Sequence, residues 1–307
     1  MQQTVCTDLC IQRFQTQTPL RAPSLIISVW GDSIVAHGGE VWLGSLIRLL
    51  EPFGINERLM RTSIFRLTQE GWLVSHKVGR KSFYRLSPDG ESRFSSAFDR
   101  VYRQNFPQWQ GVWTLLLITA LTAEEKKALS DELSFSGFGS LSNSVLASPH
   151  ADRDDIISIL RENGLADRVV LCESQVVNES EQALRNLIWQ GWGLKSLNDA
   201  YIDFVDFYQS LNTPAMHTQL QDPKTAFITR TLMIHEYRKL ALRDPSFSGQ
   251  ILGSRWLGNE ARSLCASLYK QLTPAAHQWI INELEGRQGK LPPISTDFLN
   301  RFGGLKI

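Results

Sequence analysis

Residues 56–86 read NERLMRTSIFRLTQEGWLVSHKVGRKSFYRL, and this stretch decides the fold of the N-terminal part of the chain. Asn56 is a favourable N-cap for a helix from Glu57 to Glu70. Gly71 is a natural C-terminal stop for that helix, because glycine adopts the left-handed conformation that ends many helices. The residues at 72–86 alternate as a β-hairpin does, with a glycine at the turn. The stretch therefore predicts a helix followed by a hairpin.

Two shorter helices are predicted before this one. Apolar residues recur at helical spacing in Leu25 to Ala36 and again in Gly44 to Glu51. Pro52 and Gly54 then force a tight turn before the third helix. Helix, helix, short turn, helix and hairpin is the order of a winged helix-turn-helix, which we predict for residues 23–100.

The third helix has two chemically different sides. Met60, Ile64 and Leu67 fall on one broad side, which is expected to pack on the first two helices. The opposite side is predicted to enter the DNA major groove, because it carries side chains that hydrogen-bond base edges: Arg58, Arg61, Thr62 and Gln69. Phe65 also lies on this side, where it either packs against the hairpin or contacts a thymine methyl group.

The hairpin turn adds four residues that are spaced to reach phosphates or an adjacent minor groove: His76, Lys77, Arg80 and Lys81. From Asn56 to Arg85 there are seven Lys or Arg residues and two acidic ones, a local charge of +5. The whole chain has 32 basic and 31 acidic residues and a net charge of +1, which excludes a uniformly basic nucleic-acid wrapper. A solvated, Arg-rich helix beside a hairpin is the alternative, but helix order, helix face and basic turn together favour DNA binding.

Length and composition describe a folded, multidomain protein. The chain has 307 residues, 42 % of them hydrophobic, so two or three domains are expected. Of its cysteines, only Cys6 and Cys10 are close in sequence; Cys172 and Cys265 complete neither a zinc site nor a disulfide scaffold. The N-terminus lacks the pattern of a secretory signal, and the longest apolar run, Leu115 to Leu121, is too short to span a bilayer. We expect a cytoplasmic protein without a membrane partner.

The remaining chain is predicted to contain a flexible arm and two more domains. Residues 1–22 are polar and patternless, which favours a flexible N-terminal arm. Residues 101–195 are predicted to form a ferredoxin-like α+β domain, from strands at Val112 to Thr119, near Val145 and at Val169 to Val176, and helices at Thr122 to Phe135 and Asp152 to Asn163. Residues 196–307 are predicted to be helical, with helices at Leu197–Leu211, Lys224–Leu242 and Asn259–Leu272 and an irregular tail from Leu291.

Patterns for enzymatic chemistry are incomplete. His235-Glu236 begins like a zinc-protease motif, but Lys239 stands where the second histidine is needed. Gly137-Phe138-Gly139 begins like a dinucleotide-binding loop, but Ser142 replaces the third glycine. Gln108 and Gln110 stand where a metal-dependent nuclease would need a carboxylate. We therefore expect neither an enzyme nor a resident metal or cofactor.

A second candidate site lies in the C-terminal part. A cationic mouth and an aromatic wall, which together suit a ligand with phosphate and aromatic groups, are predicted from His235, Arg238, Arg243 and Trp256, near Tyr237. The alternative is that His235 and Trp256 are core residues and that the arginines are surface ion-pair partners.

Ordered blocks of sequence carry a resemblance over nearly the whole chain. They lie at residues 38–46, 61–67, 70–73, 79–84, 109–113, 137–141, 148–149, 235–245, 256, 258 and 301–305. In these blocks the chain resembles the PaaX family, the repressors of phenylacetic acid degradation operons. It departs from the family at Gln110, where relatives usually have Asp, and at 246–250, where relatives are commonly rich in Leu and Pro.

The resemblance implies a homodimeric repressor with a winged helix, a ferredoxin-like dimerisation domain and a helical effector-responsive domain. Members bind palindromic operators in double-stranded DNA and release them on binding phenylacetyl-coenzyme A. We hypothesise that the thioester binds better to a dimer whose recognition helices are wrongly spaced for the two half-sites. The alternative from a different class is an acyl-CoA-binding protein or thioester enzyme with a vestigial DNA-binding module.

Overall fold

The computed structural model describes residues 5–16, 22–103, 109–134, 136–177, 180–247 and 249–306. Four expectations lie wholly or partly outside these ranges: the N-terminal arm at residues 1–4 and 17–21, the role of Gln108, the helix end at Phe135 and the part of the C-terminal loop at Ser248. The chain is α+β and divides into two compact units. The first comprises Met1–Gln104, Asp206–Lys239 and Arg262–Ile307; the second comprises Asn105–Val205 and Leu240–Ala261.

The N-terminal segment of the first unit follows the predicted order of elements. Its regular elements are α1 (Val5–Gln15), α2 (Ala22–Val29), a π-helical turn (Trp30–Ile34), a 3₁₀ turn (Val35–His37), β1 (Val41–Trp42), α3 (Leu43–Leu50), a second 3₁₀ turn (Glu51–Phe53), α4 (Glu57–Gln69), β2 (Leu73–Val78), β3 (Lys81–Leu86) and α5 (Pro88–Tyr102). The three predicted helices and the hairpin are confirmed to within a few residues, except that the first begins at Ala22 and ends in the π and 3₁₀ turns.

The three strands form one small antiparallel sheet in the order β1-β3-β2. Val78 pairs with Lys81, so Gly79 and Arg80 alone make the hairpin turn, and Gly79 has a φ of +59° that glycine adopts without strain. Phe83 and Leu86 are buried beneath the sheet. The pairing fixes which side chains of the hairpin face solvent.

Helix α5 is missing from the elements predicted above, although the residues at its start carry a recognisable helix signal. The Oγ of Ser87 accepts a hydrogen bond from the Gly90 N–H at 2.9 Å, and Pro88 occupies the first helical position. Asp89 and Glu91 lie in the first turn, where negative charge is favoured by the helix dipole. A serine cap, a proline and two acids are a recognisable helix start.

The second unit contains an antiparallel sheet with helices. Its elements before the C-terminal part are β4 (Val112–Ile118), α6 (Ala123–Ser134), β5 (Gly139–Ser142), β6 (Val145–Ser148), α7 (Arg153–Glu162), β7 (Val169–Gln175) and α8 (Glu181–Gly191), and the strand order is β5-β6-β4-β7. Leu116, Leu133 and Ile156 are among the residues of its buried core. The predicted alternation of strands and helices is confirmed, and Asp152 caps α7 as a helix start requires.

The C-terminal part is helical. Its elements are α9 (Leu194–Leu211), α10 (Pro214–Gln219), α11 (Pro223–Ala241), α12 (Gly249–Leu252), α13 (Gly258–Glu283), α14 (Thr296–Leu299) and a final 3₁₀ turn (Arg301–Gly303). Helix α13 continues beyond the predicted end at Leu272 and includes Pro274. The expectation of an irregular tail from Leu291 is wrong in part, because α14 and the final 3₁₀ turn lie within it. Asp206–Lys239 and Arg262–Ile307 lie in the same compact unit as Met1–Gln104, and the domain boundary at residues 195 and 196 stays a prediction.

The expected flexible N-terminal arm is also wrong where it is described. Residues Val5–Gln15 form α1, whose Cys6, Cys10 and Phe14 are buried. These residues are four apart and so lie on one side of the helix. Although the rest of the helix is mostly polar, this narrow apolar side is enough to pack it against the unit. Arg13 is ion-paired with Glu236 of α11 at 2.5 Å, which adds a polar contact beside the buried stripe.

Candidate nucleic-acid interface

Helix α4 presents its polar side to solvent. The Oδ1 of Asn56 accepts a hydrogen bond from the Leu59 N–H at 2.9 Å, which satisfies one of the free donors at the helix start. Met60 and Leu67 are buried on the inner side. All four residues predicted to read bases are exposed: Arg58, Arg61, Thr62 and Gln69. Polar and cationic side chains on this helix face are therefore available to a partner.

Two ion pairs brace this helix. Arg61 contacts Glu57 at 2.7 Å, and Arg66 contacts Glu70 at 2.6 Å, each pair one helical turn apart. Exposed pairs of this kind contribute little to stability and are easily exchanged. Arg61 is consequently held along the helix by a contact that a base or phosphate can replace.

Phe65 lies at the centre of the same face. It is 66 % exposed, so the alternative that it packs against the hairpin is wrong. With 100° between successive residues, Arg58 and Gln69 lie about 20° and 40° to one side of Phe65, and Arg61 lies about 40° to the other. A large apolar ring therefore stands among the side chains predicted to read DNA.

The cations of the hairpin differ in their surroundings. Lys77 and Arg80 are exposed at the turn. Lys81 is exposed as well, but its Nζ lies 2.5 Å from Glu285 Oε2 and 4.1 Å from the centre of the Trp42 ring. Lys81 is thus engaged by residues of β1 and of the segment after α13, which its position in the sequence did not indicate.

Glu285 connects several elements of the first unit. Its backbone carbonyl accepts from the Trp42 N–H at 2.9 Å, its N–H donates to Ser45 Oγ at 3.1 Å, and its carboxylate also contacts Arg48 at 3.3 Å. The hydrogen bond from Lys81 lowers the pKa of Glu285, which keeps it ionised at neutral pH. An acidic residue distant in sequence therefore lies against the basic hairpin.

His76, the remaining polar residue noted in the hairpin, faces inward more than the cations. Its Nδ1 lies 3.5 Å from Glu40 Oε1, and its ring stacks on Phe83 with centroids 5.8 Å apart. This position makes His76 a support of the sheet.

Behind the interface lies a buried charge cluster that the sequence did not reveal. Asp32, in the π-helical turn and 1 % exposed, accepts hydrogen bonds from Arg230 at 2.9 Å, Tyr102 at 2.8 Å and Tyr269 at 2.7 Å. Arg301 contacts the same carboxylate at 3.2 Å and donates to the Asp32 carbonyl at 2.8 Å. Burial by itself would raise the pKa of Asp32, but the two guanidinium groups hold it below its usual value. The cluster joins α5, α11, α13 and the tail to the N-terminal helices.

The four residues predicted to bind an effector fall in both compact units. His235 and Arg238 belong to the first, whereas Arg243 and Trp256 belong to the second. Every residue of α11 from 225 to 235 is buried. Along this stretch the helix has no solvent-facing side on which to build a pocket, whereas Glu236, Arg238 and Lys239 near its end are half-buried.

His235 lies inside this core. It is 1 % exposed, its Nδ1 is 2.8 Å from Ser28 Oγ, and its ring packs edge-on against Phe14. Burial lowers the pKa of His235 well below its usual range. Arg238 reaches Ser24 Oγ at 3.1 Å. These positions favour the alternative that His235 is a core residue.

Trp256 and Arg243 have different surroundings in the second unit. Trp256 is buried and meets Trp189 and Tyr201 edge-to-face, at 6.1 and 5.4 Å between ring centroids. Arg243 is exposed. Beside Trp189 is a cavity of about 240 Å³ whose lining includes Arg185 and Arg255. Cationic and aromatic groups are therefore adjacent in this unit, although His235 does not contribute to it.

The part of the chain that the structure describes has neither a metal-binding cluster nor a membrane-spanning helix. No group of three or more His, Cys, Asp or Glu side chains is arranged to hold a metal ion. Helices in the described ranges are all too short or too polar to cross a membrane.

Three family models match the chain in succession. They are described as PaaX-like protein at residues 21–90, PaaX protein central Cas2-like domain at residues 107–188, and PaaX-like protein C-terminal domain at residues 192–282. Their order follows the three domains expected along the sequence.

Individual relatives support the same assignment. The protein Transcriptional repressor PaaX of Escherichia coli (strain K12) is 38 % identical over 303 residues, covering 98 % of this chain and 96 % of the relative. The solved structure of Uncharacterized protein Rv0674 from Mycobacterium tuberculosis superposes with a TM-score of 0.56 at 23 % identity, covering 84 % of this chain and 98 % of that one, which bears on the fold alone. With matches along its length and a relative of this similarity, the chain belongs to the PaaX family.

Proposed function

We propose that this protein is a DNA-binding transcriptional repressor of an operon for phenylacetate catabolism and that it has no enzymatic activity. The observation that carries the proposal is the exposed face of α4, where Arg58, Arg61, Thr62 and Gln69 stand beside the cationic hairpin turn. The relative from Escherichia coli, named as a transcriptional repressor, supports this reading. A repressor acts on chromosomal DNA, so we place it in the cytoplasm.

Recognition would use a winged helix-turn-helix. Helices α2, α3 and α4 followed by the β2–β3 hairpin have the order of that motif, and α4 is the helix that would enter the major groove. Lys77 and Arg80 would contact phosphates, which adds affinity without sequence preference.

The central domain would hold two copies together. A ferredoxin-like arrangement of this domain is supported by its element order, β4-α6-β5-β6-α7-β7, and by its strand order, β5-β6-β4-β7. A homodimer presents two recognition helices related by a two-fold axis, and such a dimer binds a palindromic site.

Release would follow the binding of an aryl-CoA thioester such as phenylacetyl-CoA. The cations and aromatic rings of the second unit, among them Arg185, Trp189, Arg255 and Trp256, suit a ligand that carries phosphates and an aromatic acyl group. The thioester would shift the population toward a dimer that fits the operator poorly, by its difference in affinity for the two states.

A mobility-shift experiment on the full chain tests the proposal. Operator sequences are selected from randomised DNA duplexes, and the complex is then titrated with phenylacetyl-CoA, with free coenzyme A and phenylacetate as controls. We expect a selected palindrome and its release by the thioester alone. Failure to select any sequence would refute DNA recognition, whereas an intact complex at saturating thioester would refute only the effector. Hydrolysis of the thioester by the purified protein would instead indicate an enzyme.

A further inference from the structure

The exposed ring of Phe65 calls for an explanation that the polar residues of α4 do not provide. Buried side chains of this helix, including Met60, Ile64 and Leu67, already form its contact with the rest of the unit. Phe65 points away from them and is 66 % exposed. An isolated exposed apolar residue is common, but this one stands in the middle of a cationic face. Its position is therefore informative about what that face contacts.

If α4 enters the major groove, the position of Phe65 on the helix restricts what its ring can contact. Arg58, Arg61 and Gln69 flank Phe65 within about 40° on the helix surface, so any approach that brings these side chains to base edges brings the ring there too. The base edges in the major groove are hydrogen-bond donors and acceptors, except for the C5-methyl group of thymine. A phenyl ring placed against a donor or acceptor would remove it from water without replacing its hydrogen bond.

We infer that Phe65 is a specificity-determining residue that reads the methyl group of a thymine in each operator half-site. The inference rests on the proposed function, because it needs α4 to be the recognition helix. Phe65 would distinguish thymine from cytosine at one base pair through apolar contact alone. Arg58, Arg61, Thr62 and Gln69 would read the neighbouring pairs by hydrogen bonds.

The test removes one methyl group at a time from the DNA. Each thymine of the selected operator is replaced in turn by deoxyuridine, which lacks only the C5-methyl group, and affinities are measured for the full-length wild type, Phe65→Ala and Phe65→Leu. We expect the wild type to lose about fourfold in affinity at one thymine per half-site, the loss expected for one methyl group removed from an apolar contact. Phe65→Ala should bind the two DNAs equally, and Phe65→Leu should retain part of the difference. Thermal unfolding of both variants should match the wild type, because the ring is exposed.

The outcomes separate this inference from the proposed function. If no operator can be selected, the proposed function fails before the substitution is made. If an operator is bound but the wild type and Phe65→Ala respond alike to deoxyuridine at every thymine, the inference is wrong while DNA recognition stands. A change in oligomeric state on Phe65→Ala, with an unchanged deoxyuridine response, would assign the ring to a protein contact and would also overturn the inference.

Discussion

Lys81 Nζ lies 2.5 Å from Glu285 Oε2, although the two residues are 204 positions apart in the sequence. The contact places a carboxylate from the segment after α13 against the basic hairpin. A phosphate of DNA and the carboxylate of Glu285 would compete for the same ammonium group, since both are anionic acceptors. The C-terminal segment therefore influences how much of the hairpin's charge is available to a partner.

Replacing Glu285 by Gln should strengthen binding to every duplex by about two- to fivefold, because an exposed ion pair of this kind is worth at most about 1 kcal/mol and its loss frees Lys81. The dependence on salt should steepen by about one counterion for each phosphate newly contacted. Fluorescence anisotropy over a salt series measures both effects. Glu283→Gln is the matched control, since Glu283 lies 4.0 Å from Arg48. Equal effects of the two substitutions would contradict the competition.

Arg61→Ala and Lys77→Ala should weaken DNA binding in different ways. Loss of Arg61 should cost about 1–3 kcal/mol on the operator and little on unrelated DNA, because a base contact discriminates between sequences. Loss of Lys77 should weaken binding to both DNAs by a similar factor, because a phosphate contact does not discriminate between sequences. Competition titrations with specific and nonspecific duplexes give the two ratios. The same ratio for both variants would remove Arg61 from the set of base-reading residues.

Asp32→Ala should destabilise the first unit by about 3–5 kcal/mol, because it leaves Arg230 and Arg301 buried without their shared carboxylate. Tyr102→Phe removes one hydrogen bond to the same group and should cost about 1 kcal/mol. Chemical denaturation followed by far-ultraviolet circular dichroism measures both. If Asp32→Ala cost no more than Tyr102→Phe, the carboxylate would not be what balances the buried arginines.

Stability should fall as the pH drops from about 6.5 toward 4. Burial, together with the neighbouring His37 and Arg230, lowers the pKa of His277 to about 4 in the folded protein. Between that value and the ordinary histidine pKa the unfolded chain binds a proton that the folded chain does not, so acid favours unfolding. His277→Gln should make the decline in the free energy of unfolding shallower between pH 6.5 and 4. Above about pH 7 the substitution should leave the pH dependence of that free energy unchanged. Parallel pH profiles of the unfolding free energy for the two proteins would show the histidine to be irrelevant.

The sequence by itself determined the elements from α2 to β3 and the chemistry of the exposed side of α4. Asn56 marks the start of α4 and Gly71 its end, and Gly79 makes the hairpin turn. The polar face of α4 follows from the helical spacing of its own residues. These signals are local: caps, turns and helical periodicity act over a few residues and can be read without the rest of the chain. The ordered blocks of sequence likewise indicate the PaaX family without reference to the tertiary structure.

Only the tertiary structure decided which distant residues meet. Asp32 contacts Arg230 and Arg301, which lie 198 and 269 positions away, and Glu285 reaches Lys81 across 204. The residues next to a charged side chain in the sequence do not indicate its ion-pair partner, so these pairs could not be predicted from the sequence pattern. The same reason explains why His235, a polar residue near a basic cluster, was expected at a ligand pocket and lies instead in the core. Burial is a property of the assembled fold, in which Phe14 of α1 and Ser28 of α2 contact His235 of α11.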